Sequence, residues 1–189
     1  ITMDDGYTSN LETAAPILEE LDMCATVFVI GINEGEEIYL HSGEPLTPLR
    51  FSYESAADWV EKGVLDLQCH SMDMHRLEGS GGSARNGMLP QDGESGEAYR
   101  RAIAEDMRLF RRRRVGRAAS QLTALAYPFG FYTEDLDSLL EEEGVLFTFT
   151  TDEHSNRLYI GDYSSLRMLG RYNVTERLSG QELVQLLNR

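Results

Sequence analysis

The sequence predicts one parallel α/β domain, either a barrel or a doubly wound sheet. Three observations lead there. Short apolar runs of strand length alternate with stretches of helical spacing from one end of the chain to the other. The 189 residues are enough for a single domain with a full core. No internal repeat or linker-like stretch interrupts the alternation, so the strands are joined through helices, which makes them parallel.

The elements follow in order. Ile1, Thr2 and Met3 favour a strand, which ends in the adjacent carboxylates Asp4 and Asp5 and then Gly6. Leu11, Ala14, Ile17, Leu18 and Leu21 have helical spacing, with Asn10 as the expected N-cap. CATVFVIG (24–31) is a β-branched apolar run and reads as a buried strand. Residues 32–51 have no periodicity and read as a long loop. YESAADWVEKG (53–63) reads as a helix stopped by Gly63, with Trp59 on its buried side, and VLDLQCH (64–70) as a strand. The stretch 79–96 is glycine-rich and polar and is expected to be mobile. A helix from about Glu97 to Arg114 carries four consecutive arginines, read as a solvated face partly paired with nearby acids. LTALAYPFG (122–130) is a strand ending in Pro128 and Gly130. EDLDSLLEEEG (134–144) is a helix closed by Gly144, and VLFTFTT (145–151) a strand. SLRML (165–169) is expected to be a further strand and GQELVQLLNR (180–189) a last helix.

Composition excludes some functions. The formal net charge of -15 repels phosphate, so nucleic acid is not an expected partner, whereas a neutral or cationic polymer is tolerated. No apolar run approaches the length of a membrane span. Cys24 and Cys69 allow one disulfide and decide little about compartment. The chain opens inside a strand, so its native N-terminal segment, with any targeting signal, is expected to lie upstream of Ile1.

In parallel α/β folds chemistry gathers at the C-terminal ends of the strands. The first strand ends in Asp4 and Asp5, the strand at 64–69 runs into HSMDMH (70–75), and the strand at 122–127 ends in YPFG. Two of the four histidines, His70 and His75, thus fall at one strand end. An aspartate with two histidines suits a zinc-type divalent ion and leaves positions open for water and substrate. A separation of five places the pair on different faces of a helix and on opposite sides of a strand. They converge only if the chain turns between them, which excludes the helical metalloprotease pattern. Two adjacent aspartates at a strand end point in different directions. One can be a ligand while the other faces the activated water as general base. Asp73, between the histidines, either orients a ligand or, as the simpler reading, caps the turn.

These residues carry a resemblance. TMDDG (2–6) is similar to the TFDDG motif of the polysaccharide deacetylases, the NodB-homology carbohydrate esterases of family 4, with Met3 in place of the usual Phe. HSMDMH resembles the second motif, with the histidine spacing of the branch that de-N-acetylates poly-β-1,6-N-acetyl-D-glucosamine. AYPFG (126–130) resembles the third motif in that branch's form, without the arginine many relatives carry. The resemblance covers nearly the whole chain. It implies a distorted, incomplete (β/α)7 barrel, one divalent metal ion, most often zinc, a glycan substrate, and an extracellular or cell-surface location. By position, Asp4 resembles the catalytic base, and Asp5, His70 and His75 resemble the metal ligands. The backbone N–H of Phe129 resembles an oxyanion donor, while Tyr127 and Pro128 are expected to line a substrate groove. The general acid stands apart. Many relatives place it on a late Leu-x-His motif, but RMLGRYNV (167–174) has no histidine. In the biofilm branch it lies upstream of the DDG strand. His41 and His154 are read as solvated loop residues. The implied activity is de-N-acetylation of a glycan containing N-acetylglucosamine. The alternatives are an O-acetyl esterase on xylan or a similar glycan and a non-catalytic carbohydrate-binding relic, which the complete ligand set disfavours.

Overall fold

The computed structural model describes residues 1–31, 49–79, 84–114 and 121–188. Among the described residues, five strands form one parallel sheet in sequence order: β1 (Thr2–Asp5), β2 (Ala25–Val29), β3 (Leu65–Cys69), β4 (Ala124–Ala126) and β5 (Phe147–Phe149). Every pairing is parallel, with Asp4 opposite Phe28 and Phe28 opposite Gln68. Among the described residues, five α-helices connect or follow them: α1 (Ala15–Glu20), α2 (Tyr53–Glu61), α3 (Gly96–Arg114), α4 (Glu134–Glu142) and α5 (Gly180–Leu187). The sheet is curled and its helices pack outside, giving a distorted, incomplete (β/α) barrel.

Strand alternation sorts side chains onto two faces. Val27, Val29, Leu65, Leu67, Cys69 and Leu125 point towards the helices and join their buried residues, including Leu18, Ala56, Ile103, Met107, Phe110 and Leu140, in the main core. Phe28, Ala124 and Ala126 point to the concave face and form a small second cluster with Phe147 and Phe149. Asp4 shares that face, which puts its carboxylate inside the curl.

Several local expectations are corrected. Asn10 does not cap a helix. It opens a π-helical turn (Asn10–Ala14) ahead of α1, is buried, and donates to the Met3 sulfur at 3.2 Å. The strand expected at 165–169 reduces to one residue. Tyr163–Leu166 is a 3-10 turn capped by Asp162, and Leu169 alone bridges Phe149. The described part of the glycine-rich stretch is tied down. Met88 is fully buried, Tyr99 donates to its carbonyl, and Arg85 pairs with Glu94 at 2.7 Å. The arginine run is only partly solvated, because Arg111 pairs with Glu143 and Arg114 is buried and donates to the Leu67 carbonyl. Trp59 is partly buried against the core, under the Lys62 ammonium. Cys24 and Cys69 are free, the first exposed and the second buried. The unperiodic loop at 32–51 is described only from residue 49, and His41 lies outside the described residues. No helix among the described residues is long and apolar enough to cross a membrane.

Candidate active site

The DDG sequence ends β1 in a backbone that suits aspartate and requires glycine. Asp5 and Gly6 both have left-handed backbones, φ 70 and 71. Asp tolerates that region better than most residues. A Cβ on Gly6 would stand 3.1 Å from a Val29 methyl. The turn swings Asp5 away from Asp4, giving the adjacent carboxylates different surroundings.

Asp5 Oδ1 faces His75 Nε2 at 3.3 Å and His70 Nε2 at 3.5 Å. His70 is 2% exposed and its Nδ1 donates to the Ala126 carbonyl at 2.8 Å, which leaves the Nε2 lone pair free. The chain turns between the histidines, as the spacing requires. Ser71 has φ 69, and its hydroxyl accepts the Met74 N–H at 3.1 Å. The main cap of this turn comes from α3: Asp106 accepts the N–H groups of Met72 and Asp73 at 2.8 and 3.0 Å. Asp73 itself pairs with Arg76 on the surface and caps nothing in the turn.

The cluster fits a metal ion on its own chemistry. Burial holds both imidazoles below the ordinary histidine range, with His75 pushed down to about 4 by burial first and then by the unfavourable cost of a second positive charge beside His70. Neutral, the two Nε2 atoms are acceptors, and they face a carboxylate oxygen. Among the described residues, buried Asp5 Oδ1 has no hydrogen-bond partner. Three acceptors facing one another are satisfied by a cation. Donors about 2.0–2.1 Å from one tetrahedral ion stand about 3.3–3.4 Å apart, close to the separations from Asp5. All three ligand atoms lie within 4.8 Å of one another. The other Asp5 oxygen accepts the Tyr7 hydroxyl at 2.5 Å, and burial with this carboxylate pushes the Tyr7 pKa up to about 12. Arg50 donates to the Asp5 carbonyl at 3.1 Å and lies over the Tyr7 ring.

Asp4 is held differently. Arg171 donates to both its oxygens at 2.8 Å and to the Thr2 hydroxyl at 3.2 Å. Burial alone would raise the Asp4 carboxyl, but the Arg171 hydrogen bonds and nearby positive charge prevail and hold it below its ordinary value. Arg171 also donates to the Thr150 carbonyl and lies over the Phe28 and Phe149 rings. It follows the Leu169 bridge, so its side chain spans the gap between the two edges of the curled sheet. Sequence reasoning missed Arg171, Arg50 and Tyr7. Arg171 lies within RMLGRYNV (167–174), the stretch where many relatives carry a histidine and this chain has none. His154 is exposed and lies against Gly170, where an added Cβ would come within 2.5 Å of its ring.

The third motif forms a 3-10 turn, Pro128–Gly130, at the end of β4. Phe129 has φ 59, and its ring lies 4.3 Å from that of His75. Gly130, φ 72, abuts Thr151 so closely that a Cβ would stand 2.1 Å from the hydroxyl oxygen. Tyr127 does not line a groove. It is 1% exposed, and its hydroxyl donates to Asp137, an anchor also held by Arg167. Pro128 is buried as well. The exposed aromatics here are Phe129, Phe131 and Tyr132.

Asp106 offers a test of how the ligand turn is held. An amide at this position can accept only one of the two N–H groups without crowding the other. Asp106→Asn is expected to weaken zinc binding about tenfold, as loss of a supporting partner does. The pH dependence follows from its sign. Burial pushes the Asp106 carboxyl up to about 6 from 3.8, so the folded chain holds the proton more tightly than the unfolded one. That contribution is complete below about pH 4 and is lost as pH rises through 6. Thermal melts of the metal-free proteins should show wild type gaining on Asp106→Asn as pH falls from 7 to 5. A constant difference would contradict this.

Comparison with known proteins follows the same lines. The family profile described as polysaccharide deacetylase matches residues 1–148. A Bacillus subtilis (strain 168) protein named as a polysaccharide deacetylase, YxkH, is 28% identical over 180 residues, covering 95% of this chain and 52% of its own. A Staphylococcus aureus poly-β-1,6-N-acetyl-D-glucosamine N-deacetylase (strain MRSA252) is 25% identical over 173 residues, covering 89% of this chain and 53% of its own. The chain therefore spans about half the length of these curated relatives. Among solved structures, IcaB from Ammonifex degensii superposes with TM-score 0.75 at 23% identity, over all of this chain and 72% of its own. A de-N-acetylase from Aggregatibacter actinomycetemcomitans gives 0.78 at 14% identity, over 98% of this chain and 73% of its own, a likeness of fold. With the profile covering most of the chain, and with its DDG and two-histidine motifs brought together in space, this protein belongs to the polysaccharide deacetylase family.

Proposed function

We propose that the protein removes acetyl groups from N-acetylglucosamine residues of an extracellular or cell-wall glycan, using one divalent ion, zinc by preference, held by Asp5, His70 and His75. The observation that carries this reading is the division of labour at the end of β1. Asp5 faces two imidazoles, while Asp4, one residue away, is paired with Arg171 and kept ionised. The bound ion supplies a polarised acetyl carbonyl and a water of lowered pKa. Asp4 accepts the proton of the attacking water, and as an ionised carboxylate it is ready to do so. Arg171 fixes its orientation and, having no proton to give up, leaves Asp4 as the base. The Phe129 N–H donates to the oxygen on which negative charge develops. A neutral glycan, and the cationic product of its deacetylation, suit a chain of net charge -15.

One observation favours a second reading, hydrolysis of O-acetyl esters on a glycan. Residues 167–174 carry no histidine to protonate a leaving amine, and an alkoxide leaves with less help. Incubation with an N-acetylglucosamine tetramer and with an aryl acetate, each with and without chelator, separates the readings. Chelator-sensitive release of acetate from the tetramer supports the amidase. Ester hydrolysis alone supports the esterase. Turnover of neither contradicts both.

Arg171→Met tests the tether of the base. The thioether keeps much of the stem but removes both hydrogen bonds to Asp4. Activity is expected to fall about 10- to 100-fold, the scale of losing a positioning contact. Zinc content should stay unchanged, because Arg171 touches no ligand. Loss of zinc in this variant would show that the tether serves the metal instead.

A further inference from the structure

We propose that Tyr7 is a positioning residue that keeps Asp5 a one-oxygen ligand, and so leaves open the coordination positions that water and the acetyl group need. The proposal rests on the metal reading above and adds to it a residue outside the ligand set. The two oxygens of Asp5 have separate tasks. Oδ1 faces His75 Nε2 at 3.3 Å and His70 Nε2 at 3.5 Å and has no hydrogen-bond partner. Oδ2 accepts the Tyr7 hydroxyl at 2.5 Å. An O–H···O contact that short is the charge-assisted kind, made to an ionised carboxylate. A carboxylate can hold a cation through one oxygen or through both. Here the second oxygen is already engaged. Among the described residues no other group donates to Oδ2. Without the phenol the carboxylate is free to rotate and close both oxygens on one ion.

The phenol is held where it stands. Tyr7 follows the Gly6 turn, and residues 49–51 return antiparallel beside it as a strap. Tyr7 bridges Arg50, the Thr8 N–H donates to the Leu49 carbonyl at 2.9 Å, and the Phe51 N–H donates to the Gly6 carbonyl at 3.0 Å. On the other side the Asn10 N–H donates to the Tyr7 carbonyl at 2.8 Å. Arg50 then turns back over the site. Its guanidinium lies 5.3 Å from the centre of the Tyr7 ring, and its Nε donates to the Asp5 carbonyl at 3.1 Å. One strap residue thus fixes both the phenol and the backbone of the ligand that the phenol serves. Support of this kind sets a site's geometry before the ion arrives. His70 follows the same plan, with Nδ1 spent on the Ala126 carbonyl and Nε2 left for the ion. Ligands that each offer a single atom leave a zinc-type ion room for water and substrate, whereas a carboxylate bound through both oxygens takes one of those positions.

Tyr7→Phe tests this, because it removes the hydroxyl and keeps the ring under Arg50. Zinc affinity is measured by calorimetry, and the visible spectrum is recorded for the cobalt(II)-loaded proteins. Zinc binding should weaken about tenfold, as loss of a ligand's hydrogen-bond partner does. The cobalt bands should lose intensity, because they weaken as the coordination number rises, which a change in stability alone does not produce. Turnover of an N-acetylglucosamine tetramer and of an aryl acetate should fall together, since both need the same open positions. Arg50→Met, which uncovers the phenol without removing it, should shift the spectrum the same way and by less. A cobalt spectrum in Tyr7→Phe identical to wild type overturns the proposal, whatever the zinc affinity. So does a larger shift in Arg50→Met than in Tyr7→Phe, which would move the role from the phenol to the strap. Loss of tetramer turnover alone, with the ester rate and the spectrum kept, would make Tyr7 a proton donor and overturns it too. If wild type binds neither zinc nor cobalt, the metal reading itself fails and takes this role of Tyr7 with it.

Discussion

Asp4→Asn loses about 100- to 10,000-fold of its hydrolytic rate, the usual contribution of a general base. The substitution is nearly isosteric, and its Oδ1 can still accept one of the two Arg171 hydrogen bonds. It cannot accept a proton from water. The amide N–H₂ would also face the Arg171 guanidinium, so the variant is expected to be somewhat less stable. Melting temperatures beside the kinetics separate the two effects. The loss should fall on kcat rather than on the affinity for an N-acetylglucosamine oligomer, because Asp4 acts on the water and not on the sugar. A variant that kept most of its kcat would remove Asp4 from the reaction.

The two histidines should differ in what they do for the fold. His70→Ala and His75→Ala should both abolish activity. His70 is fully buried and donates to the Ala126 carbonyl between β3 and β4. Its truncation leaves a cavity and deprives that carbonyl of a buried donor, so His70→Ala should destabilise the metal-free protein by about 2–4 kcal/mol. The His75 side chain is 18% exposed and ends a surface turn. His75→Ala should cost about 1 kcal/mol or less in the absence of metal. Urea titrations in chelator measure both. Equal destabilisation would mean that the two imidazoles share one structural role.

Much of this site was legible in the sequence, because its signals are local. The strands at 24–31, 64–70 and 122–130 announce themselves by apolar runs, and HSMDMH and YPFG sit at the ends of the last two. The five-residue spacing of His70 and His75 implied a turn, and a turn is there. What the sequence hid depends on partners distant along the chain. Tyr127 reads as a groove residue because it adjoins the third motif. It is buried because Asp137 and Thr148 meet across β4, α4 and β5. Arg171 lies 167 residues from Asp4, and no periodicity connects them. Asp106 lies mid-helix, where its type suggests a solvated position, yet it caps a turn more than thirty residues upstream. The strand expected at 165–169 failed for a local reason: Ser164 and Ser165 favour the Asp162-capped 3-10 turn, which leaves only Leu169 to pair.

The central claim is that Asp5, His70 and His75 take one divalent ion while Asp4 stays free for the water. A calorimetric zinc titration of wild type, Asp4→Asn and Asp5→Asn at neutral pH tests it most directly. The account predicts one ion per chain in wild type and in Asp4→Asn, with affinity at least tenfold weaker in Asp5→Asn. Equal zinc binding by wild type and Asp5→Asn, or its loss in Asp4→Asn, would contradict it.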